Sequence, residues 1–197
     1  MSLEEIIIAI WRIVGSLPVL WWPFWGGIFA ILVDGSDVFL RNLFGIEGVE
    51  RYHTFDKLLD QFYMFLFLVV AMRWSPTPRN IAVGLYVFRV VGVIIFEVTG
   101  ERDALWLFPN LFEFWFVFVT GIQYFGLEAK EDDPREPWFW GLMPFSYSTL
   151  QVTVAMVVIA AFKLPIEYVL HTKEWFDEFS AFEAVEWIWD TVMPPWW

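Results

Sequence analysis

Apolar residues run along this chain in blocks about as long as a bilayer is thick, separated by short polar or proline- and glycine-bearing segments. A hydrocarbon core about 30 Å thick is crossed by roughly 20 residues of helix. Five blocks are of that order, at about 17–40, 55–72, 80–98, 109–127 and 149–170. Pro76 and Pro78 separate the second from the third, and Gly100 closes the third. Pro109 opens the fourth, a position where proline has no intrahelical bond to lose. Residues 3–14 are apolar but carry Glu4, Glu5 and Arg12 and are cut off by Gly15 and Pro18. Acidic residues precede the stretch and no small-x-small cleavage site follows, which excludes a signal peptide. It reads as an interfacial helix or a sixth, short span. Residues 174–189 place Trp175, Phe179 and Phe182 at helical spacing, with Glu174, Asp177, Glu178, Glu183 and Glu186 largely elsewhere on the wheel. That is an amphipathic helix, and its acidic face predicts docking on protein rather than on anionic lipid. The expected fold is all-α. It is a single integral membrane domain, a polytopic transmembrane helix bundle of five spans, or six if 3–14 cross, with N- and C-terminal amphipathic helices.

Composition narrows the class. The chain is 58% apolar, 21% aromatic and only 18% charged, with a mean hydropathy of +0.55. A soluble domain carries about a quarter charged residues, so a disordered segment, a nucleic-acid module and an ordinary cytosolic enzyme are excluded. Twelve basic against 24 acidic residues give a net charge of −12, which removes nucleic acid as a partner. The absence of cysteine rules out disulfides, thiolate zinc sites and a cysteine nucleophile. The expected location is a membrane, as a multi-pass protein of the cell inner membrane. Orientation is not specified. Calling the side that bears the 41–54 loop side B, side A collects Arg12, Arg73, Arg79, Lys130 and Arg135, and side B collects Arg41, Arg51, Lys57, Arg102 and Lys173. Basic residues balance, and the positive-inside rule is silent.

Each block carries one polar stripe at helical spacing. These are Asp34, Asp37 and Arg41; Asp56, Asp60 and Tyr63; Arg89 and Glu97; Asn110 and Glu113; and Lys163, Glu167 and His171. Alternating helix direction points all five toward side B and leaves the other half apolar. Arg89 and Lys163 fall deep in their blocks, where an unpaired charge costs about 2.5–3.5 kcal/mol on insertion scales. They are expected to face the interior and pair, with Glu97, Glu113, Glu167 and Asp60 as partners. Seven acids (Asp34, Asp37, Asp56, Asp60, Glu97, Glu113, Glu167) meet four bases (Arg41, Lys57, Arg89, Lys163) in these stripes. The surplus of carboxylates predicts either protonation or a bound cation. An oxygen-rich set without cysteine suits Mg²⁺, Mn²⁺ or Ca²⁺.

Asp34-Gly35-Ser36-Asp37, at the end of one block, and Asp56-Lys57-Leu58-Leu59-Asp60, at the start of the next, resemble the signature of the CDP-alcohol phosphotransferases. That family's pattern is D-x-x-D-G-x-x-A-R, a short gap, then G-x-x-x-D-x-x-x-D. The likeness covers residues 34–60, with Val38 and Tyr52 where the family has glycine. The resemblance implies a membrane enzyme that joins a lipid-like alcohol to a cytidine-diphosphate donor. It also implies that Asp34, Asp37, Asp56 and Asp60 hold divalent Mg or Mn, that Asp60 with Asp56 is catalytic, and that Asp60 is the base for the attacking hydroxyl. Arg89 or Lys163 would then neutralise phosphate. No P-loop, G-x-S-x-G or H-E-x-x-H motif is present. His53 and His171 alone do not build a haem site, and no nucleotide cofactor is expected. The best-supported function is a metal-dependent lipid-modifying enzyme with membrane lipid as its partner. An ion or solute transporter or channel, or an accessory subunit, stays open, as does assembly into a homo-oligomer or a larger membrane complex.

Overall fold

The computed structural model describes residues 3–36, 50–101, 103–129 and 144–171, with side-chain surroundings given for 6–36, 59–101, 103–129 and 144–166. The described chain is all-helical. Helix α1 covers Leu3–Ser16, a 3-10 turn follows over Leu17–Leu20, and α2 covers Pro23–Gly35. Helix α3 is Glu50–Ala71 and α4 is Pro76–Thr99. Helices α5 and α6 are Asp103–Leu107 and Leu111–Tyr124, and α7 is Thr149–His171.

Proline placement decides where these helices begin. Pro18 sits in the 3-10 turn and Pro23 opens α2, so the described part of the block expected at about 17–40 is a turn plus a 13-residue helix. Pro76 and Pro78 lie within the first turn of α4, not between helices, because that turn has no backbone bonds for proline to remove. Gly100 ends α4 in the left-handed conformation (φ 72°), with its N–H on Phe96 O at 2.7 Å, the usual glycine stop. Pro109 does not open its span either. The segment starts at Asp103 as α5, breaks over Phe108–Asn110 and resumes as α6.

Three segments are long and apolar enough to cross a membrane: Pro76–Thr99, Asp103–Tyr124 and Thr149–Ile166. Shorter apolar helices cover Ile6–Leu20, Pro23–Gly35 and Leu59–Ala71. Of the five full spans expected, three meet that length and composition among the described residues, and five are not confirmed. The broken span Asp103–Tyr124 is the central one, 61% buried against 22% and 17% for the other two.

An aromatic stack fills the half of the bundle toward side A. Phe67 of α3 stacks on Phe116 of α6 at 4.0 Å between centroids, and Trp74 stacks on the same ring at 5.5 Å. Phe112, Trp115 and Val119 complete this face of α6 and are fully buried. Trp115 Nε1 donates to Pro78 O at 3.1 Å, which ties α6 to the first turn of α4. Gly27 allows the close approach of α2, since a Cβ there would stand 2.9 Å from Phe116.

The helices are inside out by the standard of a soluble protein. Helix α1 buries Ile8, Ala9, Arg12, Gly15 and Ser16 while exposing Ile6, Ile7, Ile10, Trp11, Ile13 and Val14. Helix α2 buries Gly26, Gly27 and Ala30 and exposes Trp25, Phe29 and Leu32. Helix α7 buries Ala155, Ile159 and Lys163 and exposes Val154, Val157, Val158 and Phe162. Small residues at helix contacts and large apolar ones outside are the pattern of helices packed in lipid.

Candidate functional site

Above the aromatic stack, polar side chains from five helices form two clusters. The first is built on α1, α2 and α3. Arg12, 3% exposed, donates from one guanidinium nitrogen to Oδ1 of both Asp34 and Asp60. The carboxylates keep 24% and 21% exposure, so the cation is enclosed and the acids reach outward. Three local features hold Arg12 there. Ser16 Oγ, buried, donates back to Arg12 O at 2.6 Å. Gly15 lets α1 close onto α2, where a Cβ would meet Val33 at 2.7 Å. Trp11 Nε1 donates to Ser36 Oγ at 3.1 Å.

The second cluster is built on α3, α6 and α7. Lys163 Nζ lies 3.0 Å from Glu113 Oε2, with both side chains at or below 10% exposure. Tyr63 OH donates to the other oxygen, Glu113 Oε1. The Lys163 ammonium also stands 5.2 Å from the Phe114 ring centre, a favourable cation–π distance. Asp60 and Tyr63 are three apart on α3 and share a face, so one turn of that helix links the clusters. Tyr63 then packs edge-on against Phe67 at 5.4 Å, where the polar half meets the aromatic half.

Arg89 behaves differently from its expectation. It is 5% exposed, but its hydrogen-bond partners among the described residues are backbone carbonyls: Nη1 donates to Leu105 O at 3.1 Å and Phe108 O at 3.0 Å. The sequence predicted a carboxylate there. The reason lies in the broken span, whose first half ends with carbonyls that have no helical partner. A cation at a helix C-terminus is the favourable cap. Glu97, predicted as a partner, lies exposed near the end of α4. Asn110 is 5% exposed and occupies the N-cap of α6, though its side chain makes no cap bond.

The expectations are met unevenly. The structure brings Asp34 and Asp60 together through Arg12, where a metal was expected, and pairs Lys163 with Glu113, one of its three candidate partners. It moves Arg12 from side A to the acidic pair. Asp37 and Arg41 lie outside the described residues, as do the side chains of Asp56, Glu167 and His171 and the predicted amphipathic helix at 174–189. Among the described residues no group of three or more His, Cys, Asp or Glu is placed to hold a metal. The described part of the proposed metal set supplies two carboxylates with a guanidinium between them, too few oxygens for a hard divalent ion.

Arg12 is the residue that sequence reasoning missed. Its signal was present, because Ala9, Arg12, Gly15 and Ser16 form one stripe of small or polar residues on a helix that is otherwise apolar from Ile6 onward. Including it changes the balance. Counted with Arg89 and Lys163 against Asp34, Asp60 and Glu113, it brings the formal charges of these six described residues to zero. Outside the spans, burial and the nearby Glu128 carboxylate push the Tyr147 hydroxyl well above its ordinary range. No family model, curated protein or solved structure matches the chain.

Proposed function

We propose that this chain is a multi-pass integral membrane protein that handles the polar headgroup of an amphiphile at a site opening to side B. The inverted amphipathicity of α1, α2 and α7 carries the membrane part of the reading. The carrying observation for the site is asymmetry: both salt-bridged clusters lie in one half of the bundle, above a closed aromatic stack. Charged groups gathered in one half support binding or chemistry at the membrane surface over conduction through it.

The specific form of this reading is the transfer chemistry implied by the resemblance at 34–60. Asp34 and Asp60 would contribute to a divalent-ion site with Asp37 and Asp56, and Asp60 would accept the proton of an attacking hydroxyl. The Arg12 guanidinium would have to leave the two carboxylates first. Thermal unfolding in detergent with EDTA against Mn²⁺ is the test. At a hundredfold excess over the dissociation constant, binding adds about 2.7 kcal/mol, and Asp60→Asn should remove the shift. An unchanged midpoint would sink the metal chemistry.

The zero charge sum favours a second reading, in which the clusters only fasten helices of an accessory subunit. In that case Asp60→Asn would lower stability equally with and without metal.

A further inference from the structure

At the side A end of the bundle, the chain that leaves α6 meets the chain that enters α7. Glu128 and Phe145 form a parallel bridge, with Ala129 N–H on Phe145 O at 3.0 Å and Phe145 N–H on Leu127 O at 2.8 Å. Phe118 of α6 stands edge-on to Phe145 at 5.1 Å, and Phe145 edge-on to Tyr147 at 5.0 Å. Tyr147 has a φ of 55°, a backbone conformation that a bulky residue rarely adopts. It is held there from both sides. Gln151 Oε1, in the first turn of α7, accepts from Ser146 N–H at 2.9 Å and from the hydroxyls of Ser146 and Ser148 at 3.0 and 3.3 Å. Gln151 Nε2 donates to Pro144 O at 3.2 Å. Backbone strain persists only where its surroundings over-determine it, and it gathers at functional sites.

What this conformation holds is a hydroxyl with no use inside the fold. The Tyr147 hydroxyl is buried without a hydrogen-bond partner. Burial, and then the Glu128 carboxylate nearby, raise its pKa, yet no hydrogen bond joins the two groups. The Glu128 side chain is itself partly buried and makes no ion pair or hydrogen bond among the described residues. A buried polar group left unsatisfied in this way calls for a partner from outside the fold. A neutral phenol oxygen and a carboxylate share one complement, a positively charged group with several N–H donors, and a primary ammonium has three. One carboxylate and one phenol are too few oxygens for a hard divalent ion. The position suits a headgroup: the site lies between the end of one span and the start of the next. Just before it in the chain, exposed Tyr124 meets exposed Trp25 at 6.0 Å, and exposed tryptophan and tyrosine belong to the headgroup level of a bilayer.

We propose that Glu128 and the Tyr147 hydroxyl receive a primary ammonium at the side A surface, the hydroxyl being uncovered as the ammonium enters. The ammonium belongs either to a lipid headgroup or to a free amine, and both donate the same N–H bonds. The site lies opposite the charged clusters and is independent of the side B reading.

Thermal unfolding of the full chain in phosphatidylcholine nanodiscs tests it, with free ethanolamine in one arm and phosphatidylethanolamine doped into the bilayer in the other. The trimethylammonium of the host lipid has no N–H to donate, so the host is the blank. The midpoint should rise by about 5 °C or more at saturation in at least one arm. A response to free ethanolamine assigns a soluble amine, and a response to phosphatidylethanolamine alone assigns a lipid. Glu128→Gln and Tyr147→Phe should each remove at least half of the rise, and Glu101→Gln, on an exposed residue at the other end of the bundle, should keep it. Without ligand, Tyr147→Phe should unfold no lower than the natural chain, because it deletes a buried hydroxyl that has no partner. A lower midpoint would mean that the hydroxyl is already bonded, and would overturn the site. Hydrogen exchange on the natural chain supplies a readout that needs no variant to fold: ligand should slow exchange at 127–129 and 145–148 and leave 94–99 unchanged. No rise in either arm, more than half of the rise kept by either site variant, or protection only outside those two segments overturns the proposal.

Discussion

At the residue scale, the described interior of this bundle is organised by three cations, each with a different kind of partner. Lys163 meets the Glu113 carboxylate, Arg12 is shared by Asp34 and Asp60, and Arg89 caps backbone carbonyls. Removing one member of a buried pair strands the other, at a typical cost of about 3–5 kcal/mol. Lys163→Met should show that loss in denaturant titration in detergent, and the double variant Lys163→Met with Glu113→Gln should recover much of it. A double variant no better than the single one would mean that the pair is not an isolated unit. Arg89→Leu should destabilise far more than Arg73→Leu, since an exposed substitution usually stays within about 0.5 kcal/mol. Glu113 and Lys163 were legible because each sits at helical spacing in an apolar block, where burial forces pairing. The identity of Arg89's partner was not legible. A hydrophobicity pattern shows carboxylates and hides carbonyls, and the carbonyls became available only because the span breaks.

At the element scale, glycine and proline decide how closely the helices approach and where they start. A Cβ on Gly26 would stand 2.5 Å from the backbone of Pro18 and Val19, whereas one on Gly84 would meet nothing within 4 Å. Gly26→Ala should therefore lose about 1–3 kcal/mol by overpacking against an unyielding backbone. Gly84→Ala should be neutral or gain about 0.4–1 kcal/mol, because the helical conformation is already native there. Unfolding midpoints of the two variants in the same detergent check this, and equal losses would contradict the packing of the 3-10 turn on α2. The existence of most helices was readable from apolar run length, but their starts were not. The reading took Pro76, Pro78 and Pro109 as separators or openers. Proline is equally at home in a first helical turn, as at Pro76, and after a helix has ended, as at Pro109. The side chain alone does not say which.

At the scale of the whole molecule, stripe position and alternating helix direction predicted a polar half and an apolar half; that aromatic rings fill the apolar one was not predicted. The membership of α1 in the polar half was not predicted either. Arg12 was assigned by counting crossings from a helix whose own crossing was undetermined, and the short turn at Pro18 sends the chain back sooner than a full span would. The central claim is that these helices lie in a bilayer with the charged clusters opening to one side only. The natural chain has no cysteine, so single cysteines report cleanly. Cysteines placed at Ser36 and Thr99, beside the charged half, and at Ser75 and Ser148, beyond the aromatic half, are labelled in sealed vesicles with a membrane-impermeant maleimide. The account predicts that Ser36→Cys and Thr99→Cys react from one face, and that Ser75→Cys and Ser148→Cys react only from the opposite face. Labelling of all four from the same face would contradict it.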